Sequence, residues 1–130
     1  MTRREAREQA FFVLFEKIFD KESTISEIIS NAKEAELIKL NGFAELTLKN
    51  VEDNFEAIDA LIIENSEKWS IERLPKVSLA ILRLAIGEIK YCEDVPAGVA
   101  VNEAVELAKK YGTEADASFV NGLLGTIVKL

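Results

Sequence analysis

The sequence predicts an all-α domain, and three observations predict it. Apolar residues recur at three- and four-residue spacing along most of its 130 positions. Only 2 prolines and 6 glycines interrupt stretches dominated by good helix formers. No segment alternates apolar and polar residues with the period of a strand. The length suits one domain over residues 1–130, and with 48% apolar residues it can bury a core without disulfides or metals.

A first helix is expected from about Arg3 to Asp20, with Ala6, Ala10, Val13, Leu14 and Ile18 as its inward stripe. The pattern breaks at Lys21–Ser23. Thr24 and Glu27 then have the spacing of a capping box, opening a short helix with Ile25, Ile28 and Ile29 inward. Asn41-Gly42 signals a turn. From Phe43 to about Trp69 the chain is amphipathic, as one helix or two meeting near Glu52–Asn54, with Leu46, Val51, Phe55, Ile58, Leu61 and Ile62 as its core. Leu74-Pro75 ends what precedes it, because the residue before a proline avoids helical geometry.

The next helix, about Val77 to Cys92, is apolar almost all round and leaves Arg83, Gly87 and Lys90 as a narrow polar strip. Such a helix belongs at the centre of a bundle. Glu88 falls on its apolar side, so it requires a basic side chain or free backbone amides as a partner. Asp94-Val95-Pro96 turns into a helix lined on one face by Ala97, Ala100, Val101, Ala104, Leu107, Ala108 and Tyr111, and Gly112 stops it. A last helix, about Ala115 to Val128, directs Val120, Leu123, Leu124 and Ile127 inward. The total is six or seven helices.

Composition narrows the chemistry. Lys plus Arg number 16 and Asp plus Glu 23, a net charge of −7, so the chain has no general affinity for phosphates. A nucleic-acid role must rest on a local basic patch or on a basic partner. There is no histidine, and Cys92 is the single cysteine, which removes the usual general base, metal ligands and nucleophile arrangements. No catalytic residue, metal site or cofactor is assigned, and the expected role is not enzymatic. No apolar run approaches the roughly 18 residues that cross a bilayer, and the charged N-terminus lacks a signal-peptide core. The expected compartment is the cytoplasm, with no membrane partner.

Two features stand apart from this frame. Arg3-Arg4-Glu5-Ala6-Arg7 concentrates cations at one end of the first helix, and Arg4, Glu8, Phe12, Phe15 and Phe19 follow at helical spacing along one flank. Arginines beside aromatic rings are what single-stranded RNA binding uses: guanidinium groups hold phosphates while bases stack on rings. The competing reading makes Phe15 and Phe19 ordinary core and the arginines a solvated helix end. The second feature is Phe119, about a quarter turn off the apolar centre of the last helix.

The segment from Asp94-Val95-Pro96-Ala97 through Val101-Asn102-Glu103-Ala104 to Lys110-Tyr111-Gly112 resembles the signature of the NusB family of transcription antitermination factors. Ser118-Phe119-Val120-Asn121-Gly122-Leu123-Leu124 is similar to that family's Phe-Val-Asn-Gly-Val-Leu ending. Leu82-Arg83-Leu84-Ala85 with Glu88, and Arg3-Arg4-x-Ala6-Arg7-Glu8, are similar to its central helix and its arginine-rich start. The resemblance implies a compact bundle of seven helices in two small subdomains. It implies a protein that binds boxA-type RNA of ribosomal RNA leaders with the ribosomal protein NusE, in an antitermination complex on RNA polymerase. A basic ribosomal protein would also suit an acidic partner and contribute phosphate contacts of its own.

Carried over by position, Arg3, Arg4 and Arg7 would hold RNA phosphates, and Phe15 and Phe119 would supply ring contacts. Lys76, Leu79 and Arg83, near the exposed strip of the central helix, would belong to the ribosomal-protein side. The sequence departs from the family pattern where Phe15 replaces tyrosine, Phe12 a residue often polar, Ser78 one often acidic, and Asp116 a serine. The alternative is a non-catalytic adaptor or self-associating protein with weak or lost RNA binding. Monomer and homodimer are both compatible with the resemblance.

Overall fold

Short polar side chains that accept from free backbone amides open four of the helices. Thr2 accepts from the Glu5 amide while the Glu5 carboxylate accepts from the Thr2 amide, and α1 (Arg3–Phe19) begins there. The expected Thr24/Glu27 capping box opens α2 (Ile25–Glu34). Asn41 caps α3 (Gly42–Asp53) through the Ala44 amide. The amphipathic stretch that follows Phe43 is two helices: Asn54 ends α3 and precedes α4 (Phe55–Asn65), and its side-chain amide donates back to the Asn50 carbonyl at 2.8 Å. A single 3-10 turn (Ile71–Arg73) leads to α5 (Lys76–Tyr91), and α6 (Ala97–Tyr111) starts behind Pro96. Thr113 and Asp116 form a third capping box at the head of α7 (Glu114–Val128). These helices come from a computed structural model of the chain, which describes residues 1–67 and 70–130. The expected end of the amphipathic stretch at Trp69 lies outside the described residues.

Among the described residues the architecture is seven α-helices and no strand. Helix α5 is the axle. It packs against α1, α3, α4, α6 and α7, and every residue from Ser78 to Glu88 is buried. One continuous core joins Leu14, Leu48, Ile58, Ile81, Leu84, Leu124 and their neighbours around it.

Burial of α5 corrects the polar strip expected on it. Arg83 is 5% exposed and Gly87 is buried, whereas Lys90 is exposed. Helices α3 and α4 cover that side. A Cβ built on Gly87 would meet Val51 Cγ2 at 2.5 Å, so the missing side chain is what lets α3 approach. Leu46 is corrected too. It is 55% exposed, because α3 buries Ala44, Thr47, Leu48 and Val51 instead. Gly112 ends α6 as expected, but for a reason of space. Its φ of −123° suits any residue, while an added Cβ would come within 2.6 Å of the Asp116 carboxylate.

Candidate nucleic-acid interface

The arginines at the start of α1 divide into one buried and two exposed. Arg7 faces inward one turn after Arg3, and its guanidinium meets Glu88 of α5, with Nε 2.9 and 3.0 Å from the two carboxylate oxygens and Nη2 2.8 Å from Oε1. The carboxylate expected to need a basic side chain or free backbone amides therefore finds the former, 81 residues away. Burial pushes the Glu88 carboxyl above the usual range, and the Arg7 bonds and charge pull against that rise. Arg7 is thus engaged inside the fold, and the phosphate role expected of it is replaced by a structural one.

Arg3 and Arg4 remain at the surface. Arg3 Nη2 donates to Asp94 at 3.0 Å, and its guanidinium carbon lies 4.4 Å from the centre of the Phe43 ring. Arg4 donates through Nε and Nη2 to both oxygens of Glu103, each at 3.1 Å. One turn on, Lys110 donates to Glu8 at 2.6 Å, which holds the Glu8 carboxyl below its ordinary range. Helices α1 and α6 run in the same direction here, joined chiefly by side chains. The row continues in rings: Tyr111 stacks on Phe11 at 5.1 Å and meets Phe12 edge-on at 5.4 Å.

Phe15 is half-buried against the core, about 16 Å along the helix from Arg4 at 1.5 Å per residue. Its ring packs on Phe11 at 5.9 Å and on the largely exposed Phe19 at 5.2 Å. Phe19 leads to α5, where the Lys76 ammonium lies 6.0 Å from its ring centre. Lys76, Leu79 and Arg83 line one groove of about 400 Å³ together with Lys17, Phe55 and Asp59. Their roles within it differ from a shared exposed strip. Lys76 stands at the rim, whereas Leu79 and Arg83 form the floor. Arg83 is held by two 2.9 Å bonds to Asp59 and lies 4.4 Å from the centre of the Phe55 ring.

On the other side of the Leu74–Lys76 junction lies a second groove of about 640 Å³, bounded by Asn65, Ser66 and Pro75 and by Asp116, Phe119 and Leu123 of α7. Phe119 is half-buried on its wall. Asp116 is fixed behind it by the Ser78 hydroxyl at 2.6 Å and the Thr113 amide at 2.8 Å. Burial acts to raise the Asp116 carboxyl, and these bonds outweigh burial and hold it below its usual range. Ser78, where an acidic residue was the family expectation, is buried and serves as this donor. Sequence reasoning missed three partners of the arginine cluster, Phe43, Asp94 and Glu103. All three lie far along the chain, and nothing in periodicity marks them.

Residues 4–129 match the model of the NusB family. The transcription antitermination protein NusB of Clostridium novyi (strain NT) is 44% identical over 133 residues, covering 99% of this chain and 99% of that protein. Its namesake from Clostridium acetobutylicum is 43% identical, covering 98% and 96%. Among solved structures, T. maritima NusB superposes with a TM-score of 0.87 at 34% identity, covering 99% of this chain and 92% of that one. A complex of the antitermination factors NusB and NusE with dsRNA gives a TM-score of 0.84 at 30% identity, covering 99% and 98%. No helix of the described residues is long and apolar enough to cross a membrane.

Proposed function

This chain belongs to the NusB family, and from that premise we propose that it is a transcription antitermination factor that binds boxA-type RNA of ribosomal RNA leaders together with the ribosomal protein NusE, in support of rRNA transcription by RNA polymerase. The observation that carries the reading is the likeness along the whole chain, in sequence and in fold, to proteins of that name. The role is binding, with no catalytic step. Arg3 and Arg4 are the cations proposed to meet phosphates, and Phe119 and Phe15 the rings proposed to meet bases. Lys76, with the groove it borders, is proposed for the protein partner. What supports these assignments is exposure: Arg3, Arg4 and Lys76 are at the surface, and both rings are half-open.

A second reading, a helical adaptor with weak RNA binding, draws on the net charge of −7 and on the pairing of both exposed arginines with carboxylates. Fluorescence anisotropy with a labelled boxA-type single strand separates the two. The proposed function expects binding that tightens when NusE is added and that exceeds binding to a scrambled strand. Equal, weak affinity for both strands, with and without NusE, would favour the adaptor.

A further inference from the structure

Each exposed arginine at the start of α1 faces a carboxylate brought from more than ninety residues away. Arg3 is paired with Asp94, in the turn before α6, and Arg4 with Glu103, in its second turn. The neighbouring cations on this flank are held likewise, Lys110 by Glu8 and Lys109 by Glu106. Bidentate geometry makes the Arg4–Glu103 pair the most specific of the set, and the Glu103 side chain is only 16% exposed, so it is poorly placed to swing away.

Phosphate affinity comes from cations whose charge is free to replace condensed counterions. A guanidinium already neutralised by a carboxylate offers no such gain. When a phosphate takes its place, one anion is exchanged for another and the freed carboxylate must be resolvated. From this we infer that Asp94 and Glu103 are built-in competitors of the RNA backbone: they occupy Arg3 and Arg4 in the free protein and set the affinity, salt dependence and selectivity of the interface. The inference rests on the RNA-binding role proposed above and adds what regulates that surface. A bare polyanion gains little from the exchange. A single-stranded RNA that also stacks its bases on rings gains enough to complete it, because stacking contributes whatever the charge state of the arginines.

The test compares wild type with Glu103→Gln, Asp94→Asn and the double variant, each of which keeps shape and removes a charge. Binding of a labelled single-stranded RNA is read by anisotropy across a salt series. The single variants are expected to bind about two- to fivefold more tightly, the range exposed ion pairs command. The slope of log affinity against log salt should steepen by about 0.7 per arginine released, as for single strands. Non-specific strands should gain more than the boxA-type strand, narrowing discrimination. Unchanged or weaker binding by Glu103→Gln, while wild type binds RNA, would overturn the inference and leave the function standing. Phenylglyoxal modification of Arg4, followed by mass spectrometry, tests the masking without RNA. The reaction should run faster in Glu103→Gln, and an unchanged rate would overturn the inference even if no RNA bound at all. Absence of RNA binding in every variant, with NusE present, would instead count against the function itself.

Discussion

Arg7 of the first helix and Glu88 of the fifth form an ion pair at the centre of the protein, with 4% of Arg7 and 1% of Glu88 exposed. Removing one member of such a pair leaves an uncompensated buried charge, which costs about 3–5 kcal/mol. Arg7→Ala and Glu88→Ala should each lower the urea midpoint sharply. Arg7→Met combined with Glu88→Leu should recover most of the loss, since an apolar pair of similar size needs no desolvation. A double variant no more stable than the singles would show that the pair contributes through geometry rather than charge.

The same pair predicts a pH response. Burial raises the Glu88 carboxyl in the fold, so the folded state binds a proton that the unfolded chain releases at its ordinary pKa of about 4.5. This contribution to stability is fully present below that value and is lost as pH rises through the raised one. Arg7 opposes the rise. In Arg7→Ala the folded pKa should climb further, and stability should fall more steeply than in wild type as pH rises above about 4.5. Urea melts at several pH values, or the Glu88 side-chain carboxyl resonance, would check this.

Gly87 marks the closest approach of α3 to α5. Gly87→Ala adds a methyl 2.5 Å from Val51 Cγ2, and Val51 is branched and wholly buried, with little room to move. Overpacking of this kind costs about 1–3 kcal/mol, against which alanine's helix preference returns about 1. A lowered melting temperature is expected, and Val51→Ala should be less harmful in the Gly87→Ala background than in wild type. Additive losses would refute the contact.

Phe119 offers a ring to the groove beside Pro75. Phe119→Leu keeps most of the buried area and loses the flat π-face. It should bind RNA about fivefold or more weakly, at about 1–3 kcal/mol per stacked base, with a melt close to wild type. Equal affinities for wild type and Phe119→Leu would remove this ring from the interface.

Asp116 ties the head of α7 to α5 through Ser78. Its carboxyl is held below the usual range, so the stability it brings is present above its ordinary pKa and is lost as pH falls through the lowered one. Asp116→Asn should cost about 1 kcal/mol near neutrality, a typical capping loss, and flatten the acid limb of the stability curve. An acid limb identical to wild type would mean that other carboxylates dominate it.

Much of the fold was legible because its signals are local. Thr24 with Glu27 marks a helix start within four residues, and the apolar girdle of the fifth helix announces a central position. The features that local signals do not carry are long-range or a matter of phase. Leu46 reads as inward because it is apolar, although Ala44, Thr47, Leu48 and Val51 already complete a stripe that leaves it outside. Arg7 and Arg83 read as surface cations because charge normally lies at the surface. Their partners, Glu88 and Asp59, sit 81 and 24 residues away, and no periodicity encodes which distant carboxylate will face which guanidinium. Glu88 shows the limit well: its need for a partner was readable, and the partner's identity was not.

The central position of α5 bears on how the chain is made. Helices α1, α3 and α4 leave the ribosome before the helix they all pack against, and Arg7 waits 81 residues for its counter-charge. The early segment can pair α1, α2 and α3 with one another, but the faces that meet α5 stay uncovered until residues up to about Tyr91 are free of the exit tunnel. A nascent chain stalled before α5 should be open to proteases and to chaperones that hold exposed apolar helices. One stalled beyond α5 should resist them better, because that single element covers α1, α3 and α4, and full protection should follow once α6 and α7 cover its remaining face.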